Sequence, residues 1–365
     1  MIFDDVLEIK NGRNQKAVEN PKGKYPIYGS GGVMGYADDY ICEADTVVIG
    51  RKGSINNPIY VEEPFWNVDT AFGLQADQSV LVPKYLYYFC KFFDFERLNK
   101  AVTIPSLTKS DLLKIQINLP SLSDQQTVVM KLSGIEQIIE LRRQELQKLD
   151  ELIKARFVEL FGDPLINSLG LETKPMTEVC EIIDGDRGKN YPTADEFSDE
   201  GYCLFLNAKN VTASGFNFDS CMFVTKEKDE VLRKGKLSRG DVVLTTRGTL
   251  GNLAFYREDV PFEHVRINSG MVILRMKQDM VDEVYFIEQF KMQLADIKEK
   301  IASGSAQPQL PISTMDKINI LIPEIEKQRQ FADFVKQVDK SKVAVQASLD
   351  QAQILFDSLM QKYFG

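Results

Sequence analysis

SLTKSDLLKIQINLPSLSDQQ (106–126) returns 203 positions later as QLPISTMDKINILIPEIEKQR (309–329). The overlay runs without a gap from 107–162 onto 310–365 and closes with LFG (160–162) over YFG (363–365). Eleven of the 56 paired positions are identical, against roughly three or four expected from ordinary composition. Apolar positions agree further: Leu132 with Val335, Ile135 with Val338, Leu146 with Leu349, Ile153 with Phe356, Phe157 with Met360. Upstream, DTVVIGRKGSINN (45–57) resembles DVVLTTRGTLGN (241–252), a match that pairs Asp45 with Asp241 and Arg51 with Arg247. VDTA (68–71) parallels INSG (267–270), and VLEIKNG (6–12) parallels VCEIIDG (179–185). The chain is thus an internal repeat of the form A–B–A′–B′. Its segments are 1–105 and 166–307 (the diverging A units) and 106–165 and 308–365 (the agreeing B units). A variable function on a common frame is the simplest reading.

Each B unit opens with a strand ending in proline, KIQINLP (114–120) and KINILIP (317–323), followed by a glutamine-bearing segment that starts a helix. Ser123 and Gln126 have capping-box spacing. From Asp124 to Phe161 there is one glycine and no proline. Ile139, Leu146, Ile153 and Leu160 fall seven apart, flanked by Leu132, Ile135, Leu149 and Phe157. That is the stripe of a helix packed lengthwise on another. The expected helices cover about 124–161 and 326–363, each spanning about 57 Å. FGDP (161–164) ends the first, with Gly162 as a left-handed cap and Pro164 blocking continuation. Polar positions such as Arg142, Arg143, Glu145, Lys148, Asp150 and Glu151 are solvated or dock a partner.

The A units carry short β-branched runs (TVVIG, PIYV, DVVLTT, GMVILRM) broken by Gly, Asn and Pro, the pattern of twisted β-structure. Each ends in an apolar helical stretch, 82–93 and 281–294, whose aromatics read as core. The expected fold is therefore α+β. Two mixed, β-rich domains are separated by two long helices packed as an antiparallel coiled coil, with an internal pseudo-two-fold repeat.

Catalytic signatures do not assemble. The chain has one histidine, His264, and no pattern to support a triad. GSGGVMG (29–35) has neither dinucleotide nor P-loop spacing and reads as a mobile or closely approaching loop. NPIY (57–60) lacks the second proline of an adenine-methyltransferase loop, and no S-adenosylmethionine-type glycine loop accompanies it. Five scattered cysteines, with no C-x-x-C pair, argue against a disulfide framework and a zinc site and fit a reducing cytosol. An acidic N-terminus and the absence of a long apolar run point to a soluble, cytoplasmic chain. No metal or cofactor is expected on this chain.

Net charge is −9, and none of the four segments is net basic. Weak nonspecific affinity for a polyanion follows, so any DNA contact would use local patches beside a more basic partner. The turn-rich segments of the A units offer such patches. In the first they hold Arg13, Lys16, Lys24, Tyr28, Ser30, Arg51, Lys52, Ser54 and Asn56. In the second they hold Arg187, Lys189, Asn190, Tyr191, Asn207, Lys209, Asn210, Arg247, Thr249 and Asn252. Arg pairs bidentately with guanine and Asn or Gln with adenine, while Lys, Ser, Thr and main-chain amides position phosphates. Polar loops are polar by default, so each residue counts for little by itself.

Two diverging domains, each followed by a strand–proline–glutamine–long-helix unit, resemble the specificity subunits of type I restriction–modification systems. The supporting phrases are YPIYGSGGVMGY, IGRKGS, NLPSLSDQQ and FGDP, then LFLNAKNVT, GDVVLTTRGTLGN and LIPEIEKQRQFADFV. The resemblance implies that each A unit is a target-recognition domain reading one half of a bipartite double-stranded DNA site. It implies that the helices set the gap and dock two methyltransferase (modification) subunits. S-adenosylmethionine, ATP and Mg would sit on those partners and on the motor–nuclease (restriction) subunits. A specificity subunit of a fused methylase–nuclease, or a coiled-coil scaffold that binds protein, fits the same residues.

Overall fold

The computed structural model describes residues 1–99, 104–277, 280–302 and 309–365. The boundary expected between 307 and 308 lies outside them. Two compact units result: Met1–Glu145 with Val345–Gly365, and Leu146–Ala344. Helix and strand are mixed in both.

In the first unit, β1 (Leu7–Asn11), β4 (Thr46–Gly50), β5 (Ile59–Val61) and β7 (Ala71–Ala76) form an antiparallel sheet in the order β1-β7-β4-β5. A second sheet, ordered β3-β2-β6, joins β2 (Tyr25–Gly29) and β3 (Gly32–Ala37) as a hairpin, with β6 (Trp66–Asn67) parallel to β2. Every residue of β4 is buried, because strand alternation sends its side chains into two cores. Val47 and Ile49 meet α1 (Pro83–Phe92) through Tyr85 and Leu86. Val48 faces Ile27, Val61, Phe65 and Trp66. The first core also takes Val128, Leu132 and Ile139 from α2 (Leu122–Phe161) and Phe356 and Met360 from the chain's last helix.

The second unit repeats the order. β9 (Cys180–Asp184), β14 (Val242–Thr245), β15 (Leu253–Phe255) and β17 (Met271–Met276) run β9-β17-β14-β15, all antiparallel. β10 (Cys203–Leu206) pairs parallel with β16 (Val265–Ile267) and antiparallel with β13 (Phe223–Val224). A small hairpin, β11 (Val211–Thr212) and β12 (Gly215–Phe216), lies between β10 and β13 in sequence. Val242 and Leu244 face a core shared by α3 (Glu283–Ala302), by Ile153, Phe157 and Phe161 of α2, and by Phe331, Val335 and Val338 of α4 (Ile325–Phe364). Val243 faces the opposite core.

Both long helices hold forty residues, or about 60 Å of rise. The first begins two residues ahead of the expected start. Its cap is Ser121, whose hydroxyl accepts the Asp124 amide at 3.2 Å and donates to that carboxylate at 2.6 Å. The Ser123–Gln126 box is therefore two residues too late, since Ser123 already lies inside the helix. Gly162 closes the helix with φ +75°, taking the Val158 carbonyl on its amide at 2.9 Å.

The strand at the head of each B unit forms differently in the two copies. Asn319–Leu321 (β18) pairs with Thr173–Pro175 (β8). The matching 114–120 segment makes an isolated bridge, Ile2 with Gln116. The pairing itself is conserved: Ile2 with Gln116 repeats Pro175 with Asn319. The Phe3 amide donates to the Ile115 carbonyl, as that of Met176 does to Ile318, both at 2.9 Å.

Sheet register also corrects two repeat matches by one residue. Gly50 opposes Ala71, and Thr245 opposes Met271. The Arg51 amide donates to Thr70 and the Thr246 amide to Gly270, each at 2.8 Å. Arg51 is thus equivalent to Thr246, Lys52 to Arg247 and Thr46 to Asp241. Residues 68–71 match 268–271. The arginines aligned in sequence because the TTRG turn carries its cation one step later than GRKG.

Candidate nucleic-acid interface

Equivalent loops gather at one sheet edge in each unit. In the first they follow β1, β2 and β4 and bridge β6 to β7. Gly12 is packed so closely that a Cβ there would lie 1.8 Å from the Val68 carbonyl oxygen. The Arg13 amide donates to Asn67 at 2.8 Å, and the Trp66 indole donates to the Arg13 carbonyl at 3.0 Å. The Val68 amide reaches Tyr28 at 3.0 Å. A Cβ on Gly50 would meet Ser30 at 3.1 Å, so the turn of the hairpin leans on the loop after β4. Arg13, Tyr28, Ser30, Arg51, Lys52 and Ser54 are brought together here.

GSGGVMG, expected as a mobile or closely approaching loop, forms a hairpin turning at Ser30–Gly31, with Gly32 at φ +112° just past the turn, a conformation that glycine adopts without cost. Lys24 lies apart, at the far end of β2 over the Tyr25 ring. Lys16 is exposed on the turn Gln15–Ala17, capped by Asn14. Asn56 is spent on the fold: its side chain donates to Asp94 at 3.0 Å and accepts the Phe95 amide at 2.7 Å.

In the second unit Gly185 repeats Gly12, with a Cβ there 2.2 Å from the Asn268 carbonyl oxygen. Arg187 donates to Ser269 at 3.2 Å and pairs with Asp184 at 3.0 Å, so its charge is already answered. Arg247, Thr249, Lys189 and Lys209 are exposed. Asn190 donates to the Val231 carbonyl at 3.1 Å, and Tyr191 packs edge-on to Phe205. Asn207 accepts the Lys209 amide at 2.8 Å. Asn210 is not available to a ligand. It is fully buried, accepts the Asn207 amide and donates to Asn217 and Ser220. Asn252 is likewise engaged, donating to Val211 at 3.0 Å.

A family model for the type I restriction modification DNA specificity domain matches residues 3–151 and 169–352. The chain belongs to that family. It is 21% identical over 316 residues to the type I restriction enzyme MjaVIII specificity subunit of Methanocaldococcus jannaschii, covering 81% of this chain and 70% of that protein. The MjaIX specificity subunit of the same organism is 22% identical over 336 residues, covering 86% and 74%. In structure the chain resembles the type I S subunit from M. genitalium, with TM-score 0.63 and 20% identity over all of this chain and 95% of that one. A chain from a type I system solved for its complex assembly and conformational transition gives TM-score 0.56 at 16% identity, over 100% and 96%.

The chain is thus a type I specificity subunit, and its task is DNA recognition. Within it, the exposed cations Arg13, Arg51, Lys52 and Arg247 have no carboxylate partner among the described residues. The specificity subunit holds a further basic pair that the loop reading passed over, Arg233 and Lys234, both exposed. Asp186 fixes their loop. Its carboxylate accepts the Gly188 amide at 2.8 Å and the Arg233 amide at 2.7 Å, and these bonds hold its pKa below the usual carboxylate range. Gly235 (φ +83°) brings the same loop against Gly185 and Ile267. The signal was RKGK (233–236), a basic run with a glycine in it.

Behind that loop, Arg266 is buried with its guanidinium on Asp229 and on the carbonyls of Lys234 and Leu232. Burial alone would push the Asp229 carboxyl up, but the Lys236 ammonium at 2.5 Å and Arg266 outweigh it and hold the group low. Among the described residues, no group of three His, Cys, Asp or Glu side chains could hold a metal ion. No described helix is long and apolar enough to cross a membrane.

Proposed function

We propose that each A unit is a target-recognition domain and that its loop edge reads one half of a bipartite, asymmetric site in double-stranded DNA. The observation that carries this is the recurrence of one edge in two sequences. Gly12 and Gly185, Arg51 and Thr246, and Lys52 and Arg247 hold equivalent places while the residues around them diverge. Arg13, Tyr28, Ser30, Arg51, Lys52 and Ser54 serve the first edge. Arg247, Thr249, Lys189 and Lys209, with Arg233 and Lys234, serve the second.

The long helices act as an antiparallel coiled coil, related by the pseudo-two-fold of the repeat, that sets the gap and docks two methyltransferase subunits. In support, each unit's core takes the start of one long helix and the end of the other. The subunit is noncatalytic and works in the cytoplasm. S-adenosylmethionine belongs to the methyltransferases, and ATP and Mg to the motor–nuclease subunits. A chain of net charge −9 reads DNA as part of such a complex.

Sequencing the methylated positions in DNA exposed to the complex tests this, because it yields both half-sites and the gap. Inserting base pairs into the gap then abolishes binding, since a rigid spacer cannot follow a duplex that advances about 34 Å per turn. Indifference to gap length sinks the proposal.

A further inference from the structure

We propose that the hairpin tip of the first unit is an apolar wedge that enters the base stack of the half-site read there. This rests on the reading that the loop edge of that unit faces DNA. Val33 and Met34 follow each other on β3 just past the Ser30–Gly31 turn, 54% and 62% exposed. Single exposed apolar side chains are ordinary. These two differ in placement. Met34 packs over Gly29, where a Cβ would lie 2.7 Å from its sulfur, so the strand beneath the tip has room for that side chain. The turn rests against Gly50 through Ser30, and Arg13, Arg51 and Lys52, which have no carboxylate partner among the described residues, stand on the loops around it.

Cations without carboxylate partners among the described residues, close to an exposed apolar pair, fit a polyanion whose interior is apolar. The guanidinium and ammonium groups meet phosphates, and the aliphatic groups slide between base planes and unstack a step. Charge complementarity thus favours DNA over an apolar protein face as the occupant. The second unit is built otherwise at the matching place. There β10 runs on into 207–222, and Phe216 and Phe218 stack on each other, with Phe218 edge-on to Phe262. The wedge therefore belongs to one half-site.

The test uses the specificity subunit with its methyltransferase partner and duplexes bearing the mapped site, with 2-aminopurine placed at each step of both half-sites in turn. The expected result is a rise in fluorescence on binding at a step of one half-site only. Val33→Ser with Met34→Ser abolishes that rise and weakens binding by about tenfold or more, the weight of burying one such side chain. The melting temperature of the complex stays unchanged, because both residues are exposed. Binding that still depends on the gap but brightens no step overturns the wedge and leaves the half-site reading intact. Loss of all gap dependence in the unaltered complex would instead be a failure of that underlying reading. A double variant that still brightens DNA but releases the methyltransferase puts a protein on the tip, and also overturns the wedge.

Discussion

The side-chain carbonyl of Gln125 accepts the Val82 amide at 2.8 Å, while its amide group donates to the carbonyls of Val80 and Pro120 at 2.9 and 3.0 Å. Gln328, 203 residues later, makes the same three bonds to Asp282, Met280 and Pro323 at 3.0, 3.1 and 2.7 Å. Both glutamines are fully buried. Each one ties the first turn of a long helix to the entry of the preceding domain's own helix and to the proline before it. At each junction the β-rich part of the unit and the long helix are thereby fastened together by three hydrogen bonds.

Gln125→Leu keeps the volume and orphans three backbone groups. An unpaired buried group costs about 1–3 kcal/mol, so the first unit loses about 3 kcal/mol or more. Urea denaturation followed by a probe in that unit checks it: the midpoint falls while the slope is unchanged. Gln328→Leu does the same in the second unit. A midpoint that does not move in either variant would show that the bonds contribute nothing net.

Gln289 is the opposite case. It is fully buried on α3, and neither its side-chain oxygen nor its nitrogen has a hydrogen-bond partner among the described residues. It follows Tyr285 by one helical turn, as Phe89 follows Tyr85, and the two tyrosines donate to matching carbonyls, Leu321 and Asn118, both at 3.2 Å. The second repeat thus carries an amide where the first carries a ring. Gln289→Leu removes the unmet polar groups and stabilises by about 1 kcal/mol or more. Calorimetry would read this as a melting temperature raised by about 2–4 °C. A lowered melting temperature counts against it.

Asp229 gives a pH dependence with a definite sign. Its folded-state pKa is depressed, so the stability it contributes is present above the unfolded carboxylate value, about 4. That stability is lost as pH falls through the lower folded value. Asp229→Asn leaves Arg266 buried without its counter-charge and destabilises the second unit by about 3–5 kcal/mol at neutral pH. The variant's unfolding free energy also varies less steeply with pH in the acid range. Parallel acid profiles for variant and parent would remove Asp229 as the cause.

How much of this was legible in the sequence depended on what each residue's neighbours were. The long helices and the glutamine after proline could be read because local pattern determines them: Ile139, Ile153 and Phe157 recur at helical spacing and are buried at that spacing. The cap moved from Ser123 to Ser121 because two serines flank Leu122 and only the backbone decides between them. The one-residue slip between Arg51 and Arg247 arose because like residues attract an alignment, whereas register follows hydrogen bonds between distant strands. Asn210 and Asn56 read as ligands because an asparagine in a loop looks the same whether its amide faces solvent or closes a turn. The Arg233–Lys234 pair went unread because its place beside Gly185 depends on a contact across about fifty residues of sequence.

Lys52 and Arg247 provide the last test, because sheet register makes them equivalent and neither has a carboxylate partner among the described residues. If Lys52 meets phosphate, Lys52→Ala weakens binding of the complex uniformly across sequences. It also reduces the slope of log K against log salt by about 0.9, the weight of one phosphate contact. The methylated sequence stays the same. Arg247 has a planar fork that can also bind a base edge. Arg247→Ala therefore relaxes the sequence at one position of the other half-site, with a cost of about 1–3 kcal/mol. Methylation sequencing and salt titration on the same two variants separate these outcomes. An unchanged sequence and an unchanged slope for both variants would take the register-matched pair away from DNA altogether.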